Sequence, residues 1–330
     1  MKSLKIGLGL LVTVLLFLFV PLPYYISSPG AATSIEEFLT VEGGEKDEGE
    51  LMMVTISQRR ATPFWLVESW VTPFTEANLS SRYLYDGESE ADYDRRQQLL
   101  MDSSQQAAIQ YAYELAGEEV TVDFEGIYVS APIPGSLAAN VLKPGDVITA
   151  IDGMSFATRM DFLNRVMESD AGDEVELTIE RDGEERIVQT LIQPIDQSGD
   201  RVGIGIYEPL PVQEITADPK VDVALTNVGG PSAGLMFTLE IYDQLTPGDL
   251  ANGKRIAGTG TVDEEGNVGP IGGAWQKIVA ADEEGAEVFF VPAGSNYEEA
   301  LESRDRLDSD IEVVPVKTVE DAIRYLEEMN

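Results

Sequence analysis

The sequence predicts an α+β protein carried on an N-terminal transmembrane helix, and three features lead to that reading. An uncharged, leucine-rich run opens the chain, short strands crowd its middle, and strands alternate with helices through its last third. Each is read from its period: alternation marks a half-buried strand, 3.6 residues an amphipathic helix, and an unbroken apolar run of about 20 a membrane span.

The first element is the run from Ile6 to Ile26, preceded by Lys2 and Lys5. Its length suits a hydrocarbon core of about 30 Å. Basic residues lie only on its N-terminal side, and the first acidic residues beyond it are Glu36 and Glu37. The positive-inside rule then predicts a single-pass cell-membrane protein, N-terminus cytoplasmic and the body of the chain outside. The rival is a cleaved signal peptide. Pro29 to Ala32 offers small residues but no clear A-x-A site, so an uncleaved anchor is preferred.

Glu50 to Ser57 (ELMMVTIS) predicts a buried strand, rich in apolar and β-branched residues. Arg59 to Asp94 reads as irregular, and its acidic stretch from Asp86 as a solvated face without calcium-loop spacing. Arg95 to Ala116 predicts a helix closed by Gly117. From Val120 to Pro194 the pattern turns to short strands, with one helix near Met160 to Glu168 and a hairpin about Gly183. Beyond it, strands are expected at Val221–Thr226, Lys254–Gly258, Glu287–Val291 and Ile311–Val316. Helices are expected at Ser232–Leu245 and Ala274–Glu284 and from Ser295, and Thr318 with Asp321 makes a capping box for the last one.

Composition narrows the function. Lys and Arg number 22 and Asp and Glu 59, a net charge of −37 that disfavours nucleic-acid partners. The acidity is spread along the chain and reads as a solubility adaptation, suited to a saline or alkaline medium, before a cation-binding role. The chain has no Cys and no His, which excludes thiol nucleophiles, disulfides, thiolate metal sites, Ser-His-Asp triads and HExxH helices. No metal or cofactor is expected. A hydrolase on this chain must take its base from Lys, Asp, Glu, Tyr or a terminus.

Two uncharged stretches stand out. Val223–Leu239 contains Ser232, within Gly229-Gly230-Pro231-Ser232-Ala233-Gly234, where a strand turns into a helix. Free amides near Gly230, Pro231, Ser232 and Ala233 suit an oxyanion. Val268–Ala281 carries one charge, Lys277, in apolar company at a helix start. Burial and the helix N-terminus both push an amine toward its neutral, basic form. Lys46, Lys143, Lys220, Lys254 and Lys317 sit beside turns or acidic residues and are poorer bases.

GGPSAG at Ser232, and GTGTVDEEGNVGPIGGAWQK ending at Lys277, together resemble the nucleophile and lysine motifs of Lon proteases, at a similar spacing of 45 residues. The resemblance implies a Ser232–Lys277 dyad, with Thr259 as a partner for the amine. Gly229 replaces the usual Asp, Thr261 the usual Glu, and Trp275-Gln276 the usual Lys-Glu. FEGIYV, PGSLA and LKPGDVITAIDG resemble a PDZ domain of bacterial proteases, which implies peptide capture by strand addition at Gly126, Ile127, Tyr128 and Val129. ELMMVTIS and Met101–Gly117 resemble the opening strand and first helix of the Lon domain, so the PDZ domain would be an insertion. The whole resembles PDZ-containing, membrane-anchored Lon-like proteases of Gram-positive bacteria. It implies an anchor over 1–28, protease segments over 29–118 and 197–330, and a PDZ domain over 119–196.

GDLANGKR (248–255) has Walker-like spacing, but Arg255 stands where Ser or Thr would hold magnesium, so a turn is expected there. The implied activity is therefore ATP-independent cleavage of extracytoplasmic peptides or small membrane-tethered proteins. Lon-type domains often form rings, so a homo-oligomer is part of the same expectation. The alternative is a non-catalytic, membrane-tethered PDZ scaffold on a protease-like fold.

Overall fold

The computed structural model describes residues 2–44, 48–195, 201–225 and 228–329. The chain forms two compact units: Met1–Leu84 with Val221–Thr226 and Ser232–Asn330, and Tyr85–Lys220 with Asn227–Pro231. Lys46, the expected strand end at Thr226 and the expected PDZ boundary at 196 lie outside the described residues.

In the first unit, helix α1 (Lys2–Phe19) rises about 27 Å at 1.5 Å per residue. Pro21 and Pro23 then lack the amide that a helix needs and push their neighbours to extended backbone. Strand β1 (Tyr24–Ser34) follows at once. This corrects the expected span from Ile6 to Ile26: the run is divided, and Tyr25 and Ile26 are buried within the protein. Among the described residues no helix is long and apolar enough to cross a membrane.

Pro29 to Ala32 forms an irregularity in the pairing of β1 with β2 (Glu50–Arg60). Gly30 is required there, because a Cβ would lie 2.6 Å from the Thr55 carbonyl oxygen. The stretch expected to be irregular holds helix α2 (Pro63–Glu68), capped by Thr62, and strand β3 (Glu76–Leu79). Both are too short for a sequence period to mark them.

The second unit opens with α3 (Glu90–Ala116), which starts five residues earlier than expected because Ser89 accepts the Asp92 amide. Strands β4 (Glu119–Tyr128), β5 (Val147–Ile151), β6 (Glu174–Arg181), β7 (Glu184–Leu191) and β8 (Leu210–Asp218) form an antiparallel sheet ordered β7-β6-β5-β4-β8. Helix α4 (Arg159–Met167) packs Phe162 and Val166 against Ile127, Ile148, Leu177 and Ile179. Burying side chains of this size stabilises by roughly 1.5–3 kcal/mol each. Buried Asp146 is satisfied by Arg181 through two bonds of 2.6 and 2.7 Å.

The chain then returns to the first unit. Val221–Val223 pairs with Leu39–Val41. Next come α5 (Gly234–Leu245), β9 (Arg255–Gly258), α6 (Ala274–Glu283), β10 (Val288–Pro292), α7 (Ser295–Leu307), β11 (Glu312–Val316) and α8 (Val319–Glu328). The expected capping box at Thr318 is formed. The sheet order is β11-β10-β9-β2-β1-β3, parallel from β11 to β2 and antiparallel beyond. Met52, Val54, Ala257, Phe289 and Val291 of the sheet pack on Ala274, Ile278 and Ala281 of α6. That packing fixes α6 against the C-terminal end of β9, where the site lies.

Candidate active site

Ser232 stands two residues ahead of α5, in a turn held from outside the helix. Its carbonyl accepts the Gly260 amide at 2.8 Å, and the Gly260 carbonyl accepts the Leu235 amide at 3.0 Å. Gly260 follows Thr259, the first residue past β9, whose amide donates to the Phe290 carbonyl at 2.9 Å. The Ser232 turn is thereby fastened to the central sheet. Gly260 escaped sequence reasoning, although GTG after a strand was a visible signal. A Cβ there would lie 2.6 Å from Val268 Cγ1, so the clamp depends on glycine.

Lys277 is the fourth residue of α6, whose cap Gly273 adopts φ 71°, a left-handed conformation that glycine reaches without strain. The Lys277 side chain runs into the core and is 3% exposed. Its Nζ lies 2.6 Å from Ser232 Oγ and donates to Thr259 Oγ1 at 2.9 Å. Thr259, fully buried, donates in turn to the Ser232 carbonyl at 3.0 Å. Thr259 thus accepts from the amine and donates to the Ser232 backbone, which leaves the remaining side of Nζ facing Oγ. Burial alone pushes the Lys277 amine down from 10.5 to about 7. Lys143, Lys220 and Lys317 are exposed and Lys254 half-buried, so none of them has that environment.

The remaining expected residues are placed as follows. Ala233 is the buried cap of α5, and the amides of Ser232 and Ala233 make no hydrogen bond among the described residues. Gly230 donates its amide to Gln97 O at 2.8 Å within the second unit, and Pro231 has no amide to give. Buried Gln276 reaches the Phe74 carbonyl at 3.4 Å, and Trp275 lies beside the Phe74 ring. Residues 248–255 form the expected turn, with Asn252 and Gly253 at φ 51° and 70°. Among the described residues no group of three His, Cys, Asp or Glu could hold a metal ion.

Gly126 to Val129 differs from expectation. Gly126–Tyr128 pairs with β8 on one side, and Ile127 and Tyr128 pair with β5 on the other. Val129 donates to Asp146 O and accepts from the Gly145 amide. Strand addition needs an open edge, and Ile127 and Tyr128, paired on both sides, have none. Gly126 serves packing instead, since a Cβ would lie 2.5 Å from Ile148 O. A segment that sequence reasoning did not single out is Val202–Tyr207 (VGIGIY), which runs beside α4. Its ladders go to Gln193–Pro194 and Ala131–Pro132, and Gly205 O accepts the Ile133 amide. Alternating glycines were its visible signal.

Residues 221–327 match the Lon protease (S16) C-terminal proteolytic domain, and residues 102–192 match the PDZ domain. Over 97 residues the chain is 34% identical to the Lon protease of Metamycoplasma arthritidis, covering 29% of this chain and 11% of that protein. It is 38% identical over 97 residues to the archaeal Lon protease of Thermoplasma acidophilum, covering 29% and 14%. The chain therefore spans only about a tenth of the length of these relatives. Among solved structures, the PDZ domain of an SdrC-like protein from Listeria monocytogenes is 31% identical, covering 26% of this chain and 90% of that one, with a TM-score of 0.25. The chain carries a PDZ domain and, C-terminal to it, the proteolytic domain of the Lon proteases.

Proposed function

We propose that this chain is an ATP-independent serine endopeptidase working through a Ser232–Lys277 dyad, tethered to a membrane by α1 and supplied with peptides by its PDZ domain. The observation that carries the reading is the buried Lys277 amine 2.6 Å from Ser232 Oγ. An amine near pKa 7 is free to take a proton at neutral pH, which an ordinary lysine is not. The tether rests on α1, whose Leu8, Leu10, Leu11 and Phe19 are all exposed. Extracytoplasmic peptides or small tethered proteins are the fitting substrates, because Arg255 stands where a Walker motif would carry the Ser or Thr that holds magnesium.

Ser232 Oγ bonds to the scissile carbonyl carbon as its proton passes to Nζ. The amides of Ser232 and Ala233 receive the oxyanion. The C–N bond breaks, the leaving amine takes the proton from Nζ, and an ester remains on Ser232. Water then attacks that ester, gives its proton to Nζ, and the proton returns to Oγ as the acid leaves. The dyad test is cleavage of casein without ATP across pH, with the Ser232→Ala protein as the blank. The rate should rise through pH about 7 and level above it, as Lys277 loses its proton. A rate flat from pH 6 to 9 sinks the assignment.

Peptide capture falls to Val202–Tyr207 beside α4, since Ile127 and Tyr128 are already paired on both sides. Ile206→Lys, at a half-buried position, should weaken peptide binding in titration calorimetry by about tenfold or more while cleavage of a very short peptide is kept. Unchanged affinity would remove this segment from the reading.

A further inference from the structure

A second apolar surface lies outside the protease site, on α2 and the turn that follows it. Helical hydrogen bonding continues past Glu68, since Val71 and Thr72 both donate to Glu68 O and Trp70 donates to Val67 O. At 100° per residue this puts Phe64, Val67, Trp70 and Val71 on one face. They are 38%, 46%, 75% and 80% exposed, rising along the chain. Side chains of this size left in water normally mark an interaction surface.

The position of this face names its occupant. The Phe64 ring meets Phe17 of α1 edge-on at 6.3 Å, so the face continues the exposed apolar surface of α1. The exit of α1 is pinned to the same place. Leu22 donates to Ala61 O, Ala61 donates to Tyr24 O, Ser80 donates to Pro23 O, and Leu79, 52% exposed, pairs with Tyr24. Charge agrees as well. In a chain of net charge −37, the stretch from Arg59 to Thr75 holds two arginines against the single acid Glu68. Arg59 lies over the Trp65 ring at 4.1 Å, an exposed cation stacked on an aromatic. Two of the three tryptophans of the protein, Trp65 and Trp70, fall in these few residues. Tryptophan with neighbouring arginine is the composition of a bilayer interface, where the ring sits at headgroup level and the cation meets phosphate.

We propose that Phe64, Val67, Trp70 and Val71 form a second membrane contact, lying in the headgroup layer of an anionic phospholipid bilayer beside the exit of α1. This rests on the tether reading of α1 and adds to it. The contact would hold the first unit against the lipid surface, so that its cleft meets peptide bonds close to the membrane.

The test uses the full chain reconstituted in phosphatidylcholine–phosphatidylglycerol vesicles, with tryptophan emission read in plain and in acyl-brominated lipid. Contact with lipid predicts quenching by the brominated vesicles, most of it lost in Trp70→Phe. It also predicts that Val67→Asp with Val71→Asp keeps the chain on floated vesicles while abolishing the quenching. A chain that floats with Trp70 unquenched overturns this contact and leaves the tether standing. A chain that does not float with vesicles overturns both. Trp70 emission shifted to shorter wavelength equally in plain and brominated vesicles assigns the face to a second copy of the chain, and also overturns the proposal.

Discussion

Lys277→Met is expected to abolish peptide-bond cleavage and, in the same protein, to raise stability. The first effect follows from the base: without Nζ at 2.6 Å, nothing takes the Ser232 proton, and the loss should be at least ~10³-fold because dyad members act as a unit. The second follows from linkage. Unfolded, the amine holds its proton up to about 10.5; folded, only up to about 7. Between those values the unfolded chain binds the extra proton, so stability rises with pH from about 7 to about 10.5 and is lowest below it. At pH 7.5 releasing that proton costs about 4 kcal/mol, and methionine of similar length avoids the cost. Bonds lost at Ser232 and Thr259 offset part of it, which leaves a gain of roughly 1–3 kcal/mol. Thermal unfolding at pH 7.5 should show a higher Tm for the variant, and the advantage should shrink toward pH 10. A lower or unchanged Tm at both pH values would mean that the buried amine is held as a cation, and the base assignment would fall with it.

Ser232→Ala is expected to remove cleavage by about 10⁴-fold or more. The argument has to deal with Thr259, a second hydroxyl 2.9 Å from the same amine. Thr259 is fully buried and already donates to the Ser232 carbonyl, so it can neither reach a substrate nor release its proton without giving up that bond. Ser232 is only half-buried. Intact-mass analysis with an acylating peptide ester should place the adduct on Ser232 in the parent and nowhere in the variant. Residual turnover above a hundredth of the parent, or an adduct on Thr259, would reverse the assignment of nucleophile.

The Ser232–Lys277 pair proposed as the dyad was legible because its constraints are compositional as well as local. A chain with neither Cys nor His leaves few bases, and two uncharged stretches in an acidic sequence isolate Ser232 and Lys277. The strands from β9 to β11 and helices α6 to α8 were legible for a related reason, their buried faces being wide and their caps explicit at Gly273 and Thr318. Illegible elements were those whose residues answer to partners far away in sequence. Tyr24–Ile26 ends the apolar run and reads as membrane, yet pairing with β2 and β3 makes it the start of strand β1. Gly126 looked like a peptide-receiving glycine, whereas the close approach of Ile148 O is what requires it. Gly230 looked like an oxyanion donor, and its amide is committed to Gln97. In each case local chemistry was read correctly and the competing partner could not be seen.

Lys277 owes its lowered proton affinity to burial, with no opposite or like charge among the causes. Mobile ions screen interactions between exposed charges within about 10 Å at 0.1 M salt, and they do not reach into packed protein. Exposed acids, spread over a surface of net charge −37, are the charges that salt screens most. What readies the proposed base is packing, and no single surface carboxylate is among its causes. A protein built this way can exchange individual surface charges without dismantling the device that lowers the Lys277 proton affinity.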